Sequence, residues 1–318
     1  MLRLGHAHDS AVRSGVTVLI PDAPLSCAVD MRGGGPATRE TDAVGPFATL
    51  GIAHALVLSG GSVFGLAAAD AVAAALSSRG TGLALVPDTP PVPIVPAACL
   101  YDLNNGGAKE WGECPPYAAL GRQALANLSG ASAASGSLGA GYGATAGAWR
   151  GGFGVAAAQD EGIEVTACIA TNAIGSPLMP DGKTLWAWPF EQGGEFGGRR
   201  PGPMAPPPAL PPDIKGADTT ATCIGAVSIS TPQSREALRR IAVMAQDGFA
   251  RALRPSHAPF DGDTIFAVSP QGEAADDPRT TMALGSLAAD CVARAVALGC
   301  WSAEEGYAPT IRHAVGPA

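Results

Sequence analysis

The stretch KGADTTATCIGAVSIS, residues 215–230, decides how the whole chain is interpreted. Its second half, CIGAVSI (223–229), is a short apolar, β-prone run and predicts a buried strand. Residues 189–217 before it are rich in Pro and Gly and predict a flexible loop without regular structure. An irregular loop of this length inside a compact protein is usually functional or processed. The hydroxyl groups crowded between loop and strand therefore mark a candidate site.

The composition limits the classes of function open to the chain. With 318 residues, 47% of them hydrophobic, it can bury a large core. The net charge is −8 and no run of Lys or Arg exceeds a pair, so we expect no nucleic acid and no membrane partner. The polar N-terminus lacks the apolar segment of a signal peptide, which favours a cytoplasmic location. Seven cysteines without a CxxC pair indicate reduced thiols and no metal site.

The apolar patterns predict layered strands and helices in a single α/β (α+β) domain that spans residues 1–318. Strands are predicted at 16–20, 26–31, 55–58, 163–170 and 223–229, and helices at 62–78, 231–253 and 281–298. Thr231 and Pro232 predict the N-cap and first residue of the second helix. Abundant Gly and Ala favour close packing of helices on a sheet.

A threonine that follows a loop and begins a strand suits an enzyme whose nucleophile becomes a chain terminus. A Thr hydroxyl is a weak nucleophile at neutral pH, but cleavage of the bond before it releases an α-amine with a pKa of about 8. That amine can act as the local base for its own hydroxyl. The same hydroxyl can make the cut by attacking the preceding carbonyl group, provided an oxyanion site is present. The alternative is a run of strand-edge hydroxyls that bond locally to backbone.

Three further polar residues, Asn172, Asp261 and Asp263, are candidate site residues. Asn172 follows the strand at 163–170, and its amide can donate a hydrogen bond without adding charge. Asp261 and Asp263 are two positions apart, so in extended backbone both carboxylates point to one side, about 7 Å apart. Crowded carboxylates tend to raise the pKa of one of the pair. The alternatives are a turn or cap role for the asparagine and an Asx turn for the aspartates.

Stretches along nearly the whole chain resemble the DmpA-type aminopeptidases, a family that includes β-peptidyl aminopeptidases and the nylon-oligomer hydrolase. They are MRGGGPATRETD (31–42), HALVLSGGSVFGLAAADAV (54–72), VPIVPAACLYDL (92–103), GAGYGATAG (139–147), IATNAIG (169–175) and RRIAVMAQDGFARALRPSHAPFDGDTIFAV (239–268). The resemblance implies a four-layer αββα sandwich of the N-terminal-nucleophile-hydrolase kind. It also implies a hydrolase of amide bonds that needs no cofactor and cleaves itself into a large and a small chain.

The resemblance further implies where that cleavage occurs. Aligning the strand IGAVSIS with the family places the nucleophile at Thr222 and the cut after Ala221, a position where asparagine is common. The products would be a large chain, 1–221, and a small chain, 222–318. Alternative nucleophiles are Thr219, Thr220 and Cys223.

Roles for the other polar residues also follow from the resemblance. Asn172 is expected to help hold the oxyanion or the nucleophile. Asp261 and Asp263 are expected to lie beside the nucleophile and to orient the released α-ammonium or a substrate amine. His257, in the matching block, is expected to form structural hydrogen bonds because the terminal amine can serve as the base.

The expected substrate is a short peptide, an amino-acid amide or an amino-acid oligomer, and Tyr142 and Trp149 are expected to bind it. Some relatives carry a lysine where Ala148 stands, and others a tyrosine near Gly147, so α-, β- and ω-amino substrates all stay open. Two other functions also stay open: an acyltransferase of the ornithine acetyltransferase kind and a non-catalytic binding descendant. Because relatives form multimers, we expect a homo-oligomer, a tetramer or larger.

Overall fold

Two β-sheets packed face to face form the centre of the fold. The computed structural model describes residues 2–129, 134–204, 206–216, 220–274 and 277–316. The strands are β1 (Leu2–Asp9), β2 (Ser14–Pro21), β3 (Leu25–Met31), β4 (Ala37–Arg39), β5 (Ile52–Ala53), β6 (Leu56–Ser59), β7 (Ala97–Cys99), β8 (Thr145–Ala146), β9 (Trp149–Arg150), β10 (Gly152–Asp160), β11 (Ile163–Thr171), β12 (Ile224–Ile229) and β13 (Thr264–Ser269). The helices are α1 (Ala67–Ser78), α2 (Tyr117–Ala126), α3 (Arg235–Ala245), α4 (Asp247–Ala252), α5 (Pro278–Trp301) and α6 (Ile311–Val315).

Helices cover the outer face of each sheet. One sheet has the strand order β1-β2-β6-β7-β4 and packs against α1 and α2. The other has the order β10-β11-β12-β13-β3-β5 and packs against α3 and α5. Apolar side chains of both sheets, including Leu58 and Phe266, meet in a core between them. The predicted α+β class and its four αββα layers are therefore confirmed.

The pattern along β12 explains why residues 223–229 form a central strand. Successive side chains of a strand point to opposite faces. Ile224 and Ala226 enter the core between the sheets, whereas Val227 and Ile229 enter the core beneath the helices. None of the four is more than 1% exposed. An apolar run without polar interruptions is what a strand buried on both faces requires.

The long helix α5 lies close to the sheet because small residues line the contact. A Cβ atom on Gly152 or Gly154 of β10 would overlap the backbone of Gly299 or Ala295 of α5. In the described part of the chain, α5 is the one helix long and apolar enough to span a membrane. Of its most apolar window, 72% is buried inside the fold, so α5 is here a core helix.

Strand directions in the second sheet bring the predicted site residues to one edge. β12 and β13 are parallel, whereas β11 and β3 run antiparallel to them. The segments that precede β12 and β13 therefore emerge beside the segments that follow β11 and β3. These four segments carry the candidate residues Thr222, Asp263 and Asn172 and the glycine-rich loop at 32–36.

The predicted helix at 231–253 is wrong in two details. It begins at Arg235, because the Ser234 hydroxyl, and not that of Thr231, accepts the free N–H of Ala237. It is also divided at Gln246, whose side-chain amide donates to the Asp30 carbonyl of β3 at 2.8 Å. Capping and tertiary hydrogen bonds such as these are invisible to apolar periodicity.

Candidate active site

Thr222 lies directly before β12 and contacts the carbonyl group of the residue that precedes it. It is 3% exposed. Its hydroxyl donates a hydrogen bond to the Ala221 carbonyl oxygen, and its N–H donates to the Asn172 carbonyl oxygen at 2.8 Å. The Gly262 N–H also donates to the Ala221 oxygen, at 3.2 Å. The carbonyl before Thr222 is therefore polarised by two donors, one of which is the neighbouring hydroxyl.

Asp263 fixes the backbone that follows this carbonyl and links it to the His257 segment. Its Oδ1 accepts the Cys223 N–H at 2.8 Å, and its Oδ2 accepts the His257 N–H at 3.1 Å. The His257 ring Nδ1 lies 2.8 Å from the same Oδ2. Burial alone would lower the pKa of His257, but hydrogen bonding and charge attraction to Asp263 raise it. His257 and Asp263 thus form a pair that holds the start of β12, in agreement with the structural role predicted for the histidine.

Asp261 lies beside the same carbonyl with one oxygen unused. Its Oδ2 accepts the Ala258 N–H at 2.8 Å. Its Oδ1 is buried and makes no hydrogen bond of ordinary geometry to a described residue, although the Ile174 N–H lies close enough to the carboxyl group to lower its pKa slightly. Burial, followed by the nearby charge of Asp263, raises the pKa of Asp261 to about 7. A carboxyl group of this kind exchanges its proton near neutral pH and has an oxygen free for an ammonium group.

The glycine-rich loop after β3 supports the two aspartates from behind. The Arg32 N–H donates to the Asp263 carbonyl at 3.0 Å, and the Gly35 N–H donates to the Asp261 carbonyl at 2.7 Å. A Cβ atom on Gly33 would collide with the backbone of both aspartates. Glycine is needed there because two backbone segments touch.

The Asn172 side chain is held in one orientation by three hydrogen bonds. Its Oδ1 accepts the Thr145 N–H at 3.0 Å and the Lys215 Nζ at 2.9 Å, and its Nδ2 donates to the Tyr101 carbonyl at 2.7 Å. An amide nitrogen has two N–H donors. Among the described residues the second N–H has no acceptor, so it can serve a ligand beside Thr222.

Lys215 is a site residue that the sequence analysis missed. Burial lowers the pKa of its ammonium to about 8. It comes from the irregular segment before the strand, where periodicity carries no information. Two features of the sequence could have identified it. The chain has only three lysines, at 109, 183 and 215, and Lys215 stands seven residues before Thr222.

A cavity of about 270 Å³ opens on Asn172 and Lys215. Its other lining residues are Asp102, Asn104, Asn105, Gly143, Thr145, Gly216, Tyr307 and Ala308. Burial is the main cause that raises the pKa of Asp102 to about 6, so its carboxylate is charged at neutral pH. The cavity thus offers amides, one ammonium and one carboxylate to a small polar ligand.

Tyr142 and Trp149 lie near this cavity but do not line it. Tyr142 stacks on His8 with 4.2 Å between ring centres, and it lines a neighbouring cavity of about 230 Å³. The Trp149 indole N–H donates to the Asp213 carboxylate at 2.8 Å. Among the described residues, Tyr307 alone lines both cavities. A substrate-binding role for Tyr142 and Trp149 stays a prediction.

The alternative nucleophiles Thr219 and Thr220 stay predictions, whereas Cys223 fits the geometry less well than Thr222. Thr219 lies outside the described residues. Cys223 packs into the core beneath the helices, and burial raises the pKa of its thiol well above the ordinary value. In the part of the chain that the structure describes, no group of three or more His, Cys, Asp or Glu side chains could hold a metal ion.

Asp261→Asn should stabilise the fold more at pH 8 than at pH 5. Between its ordinary pKa and about 7, the folded chain keeps a proton on Asp261 that the unfolded chain has released, so rising pH removes stability through this interval. Asparagine has the same shape and does not titrate. The measurement is the thermal midpoint in a Thr222→Ala background, where no cleavage at this position can occur. Asp88→Asn, at an exposed site, is the control. Equal shifts at both pH values for Asp261→Asn would contradict the raised pKa.

Comparisons with known proteins match nearly the whole chain. The model of peptidase family S58 matches residues 2–311. An uncharacterized aminopeptidase of Mycobacterium tuberculosis is 42% identical over 91% of this chain and 86% of its own length. A 6-aminohexanoate-oligomer endohydrolase of Agromyces is 29% identical over 84% of this chain and 72% of its own length.

Two solved structures share the fold. A β-aminopeptidase of Burkholderia has a TM-score of 0.73 at 19% identity, covering 98% of this chain and 88% of its own. The L-aminopeptidase D-Ala-esterase/amidase of Ochrobactrum anthropi, described as a variant of the Ntn hydrolase fold, has a TM-score of 0.69 at 18% identity. It covers 95% of this chain and 84% of its own. The chain therefore belongs to peptidase family S58 and is an amidohydrolase of the aminopeptidase kind.

Proposed function

We propose that the chain is a precursor that cuts its own bond between Ala221 and Thr222. The observation that carries the proposal is the Thr222 hydroxyl on the Ala221 carbonyl, which Gly262 N–H polarises from another direction. Attack by Oγ on the carbonyl carbon forms an ester as the bond to the Thr222 nitrogen breaks, and that nitrogen takes a proton. Water then hydrolyses the ester, giving an Ala221 carboxylate and a free Thr222 hydroxyl. The Gly262 N–H is the oxyanion donor of this step.

Self-cleavage also supplies the base for the hydrolysis of substrates. The released α-amine of Thr222 has an ordinary pKa of about 8 and can take the proton of its own hydroxyl. In the intact chain the same nitrogen already donates to the Asn172 carbonyl at 2.8 Å, which would keep the amine in place. The free Oδ1 of Asp261 offers the α-ammonium a charged partner. Asp261, Asp263 and Asn172 would thus orient the nucleophile.

The reaction proposed for the processed enzyme is hydrolysis of amide bonds in short peptides, amino-acid amides or amino-acid oligomers. Thr222 Oγ attacks the substrate carbonyl, the α-ammonium protonates the leaving amine, and water hydrolyses the acyl-enzyme. The names of the two sequence relatives, an aminopeptidase and a 6-aminohexanoate-oligomer hydrolase, support amine-bearing substrates. The Asp102 carboxylate in the adjoining cavity suits such an amine. A cytoplasmic location and a homo-oligomer, a tetramer or larger, are part of the same proposal.

Thr222→Ala should abolish both cleavage and hydrolysis. The parent chain, of 31.7 kDa, should appear as pieces of about 22 and 10 kDa, whereas the variant should stay intact. Intact mass spectrometry measures the cut, and p-nitroanilides of α-, β- and ω-amino acids measure turnover. Thr222→Ser, which keeps the hydroxyl, is the matched control and should still split. An intact parent chain with full activity would contradict the proposal, and acyl transfer to an added amine without hydrolysis would favour the acyltransferase.

Gly262→Ala should slow self-cleavage strongly. The added Cβ would lie 2.8 Å from Thr222 Oγ and 2.8 Å from the Gly35 carbonyl oxygen, so the hydroxyl must move away from the Ala221 carbonyl. A displacement of about 1 Å can cost about 100-fold in rate. The measurement is the time course of the cut after a short pulse of synthesis. Gly202→Ala, where a Cβ meets nothing within 4 Å, is the control. An unchanged rate for Gly262→Ala would refute the assigned geometry.

A further inference from the structure

Lys215 is held at the site independently of the peptide bond that is cut. Its own N–H donates to the Ile174 carbonyl at 3.0 Å. Two residues earlier, the Asp213 carbonyl accepts the Ala148 N–H at 2.8 Å, and the Asp213 carboxylate accepts from Trp149 and Ser176. These contacts fix the segment 213–215 to the β8-β9 hairpin and to the residues that follow β11. Cleavage after residue 221 would therefore leave Lys215 in place.

The ammonium group has donors to spare. It carries three N–H donors. Within the described ranges its one hydrogen-bond acceptor is Asn172 Oδ1, at 2.9 Å, and both residues line the cavity of about 270 Å³. Asn172 has one N–H left over as well. The two side chains together present three unused N–H donors, two of them on the ammonium, to that cavity; Thr222 does not line it but contacts Asn172 through its N–H.

The precursor's own carbonyl does not use these donors. The Ala221 oxygen accepts from Gly262 N–H and from the Thr222 hydroxyl. Asn172 Nδ2 donates instead to the Tyr101 carbonyl. The chain thus has one set of donors for the carbonyl of the peptide bond before Thr222 and another set facing the open cavity.

We propose that Lys215 is a further catalytic residue: together with Asn172, its ammonium stabilises the negative charge that develops on the substrate's acyl oxygen when Thr222 attacks. This inference rests on the proposed function, because it takes Thr222 as the nucleophile. The Gly262 N–H then stabilises the oxyanion of self-cleavage, whereas Lys215 and Asn172 stabilise the oxyanion formed from a substrate. A preorganised charge in a site shielded from water is the most effective form of such stabilisation.

The charges around the ammonium predict a pH dependence. Burial lowers the pKa of Lys215 to about 8, and the surrounding acidic groups oppose that effect only in part. The titratable groups facing it are Asp102, Asp261, Cys223, Cys300 and Tyr307. The ammonium is charged below its pKa and neutral above it. Substrate turnover should therefore peak near pH 8: deprotonation of the Thr222 α-amine, whose ordinary pKa is about 8, sets the rise on the acid side, and loss of the Lys215 charge sets the decline on the alkaline side.

The test compares Lys215→Met and Lys215→Arg with Lys183→Met, a control at an exposed lysine. Intact mass spectrometry reports self-cleavage, and the pH profile of kcat is measured on the p-nitroanilide that the parent hydrolyses fastest. We expect all three variants to cleave themselves as the parent does. Lys215→Met should lose about 100-fold in kcat and its alkaline decline. Lys215→Arg, which stays charged, should keep more activity and shift the decline to higher pH.

Three outcomes would overturn the proposal. The first is a kcat and pH profile of Lys215→Met equal to those of the parent. The second is an unchanged alkaline decline in Lys215→Arg. The third is failure of both Lys215 variants to cleave themselves, which would show that the lysine acts in self-cleavage. Failure of the proposed function is a separate result, because it would appear in Thr222→Ala whatever the Lys215 variants do.

Discussion

The carbonyl group of Ala221, held between the Gly262 N–H and the Thr222 hydroxyl, is the interaction on which the site depends. It exists because β12 and β13 run parallel and the segments before them continue side by side, with Ala221 bridged to Asp261. Asp263 then fixes the first residue after the carbonyl group by accepting the Cys223 N–H. A shift of register by one residue would turn Thr222 to the opposite face, so the buried pattern of β12 also fixes the direction of the nucleophile.

Much of this arrangement could be predicted from the sequence, because it follows from local pattern. The uninterrupted apolar run at 223–229 predicted a buried strand, and Thr222, Asn172, Asp261 and Asp263 were each identified as candidate site residues. Their actual meeting required strand order, which a single sequence does not contain. The family resemblance supplied the expectation that the aspartates lie beside the nucleophile in a four-layer sandwich, and the observed sheets confirm the fold.

Other features could not be predicted because they depend on contacts between distant segments. Lys215 sits in a segment without periodicity and reaches Asn172 only because Asp213 binds Trp149 and Ser176. The indole of Trp149 was expected to bind substrate, yet its N–H is used to hold this segment. The N-cap of α3 is Ser234 and not the predicted Thr231, because the Ser234 hydroxyl accepts a backbone N–H of the first turn.

The site gathers groups whose proton affinities differ little. Burial and a neighbouring charge raise the pKa of Asp261 to about 7, and burial lowers the pKa of Lys215 to about 8. A terminal amine on Thr222 would have an ordinary pKa of about 8. Groups so closely matched can exchange protons near neutral pH with little change in free energy, which suits a reaction in which one nitrogen must first accept and then return a proton.

The most direct test of the central claim is to catch the acyl group on its nucleophile. The enzyme is mixed with a slowly hydrolysed aminoacyl ester, quenched in acid during turnover, and its chains are weighed and sequenced by mass spectrometry. The account predicts a small chain that begins at Thr222 and carries one acyl group on that residue. An acyl group on any other residue, or on an uncut chain, would contradict it.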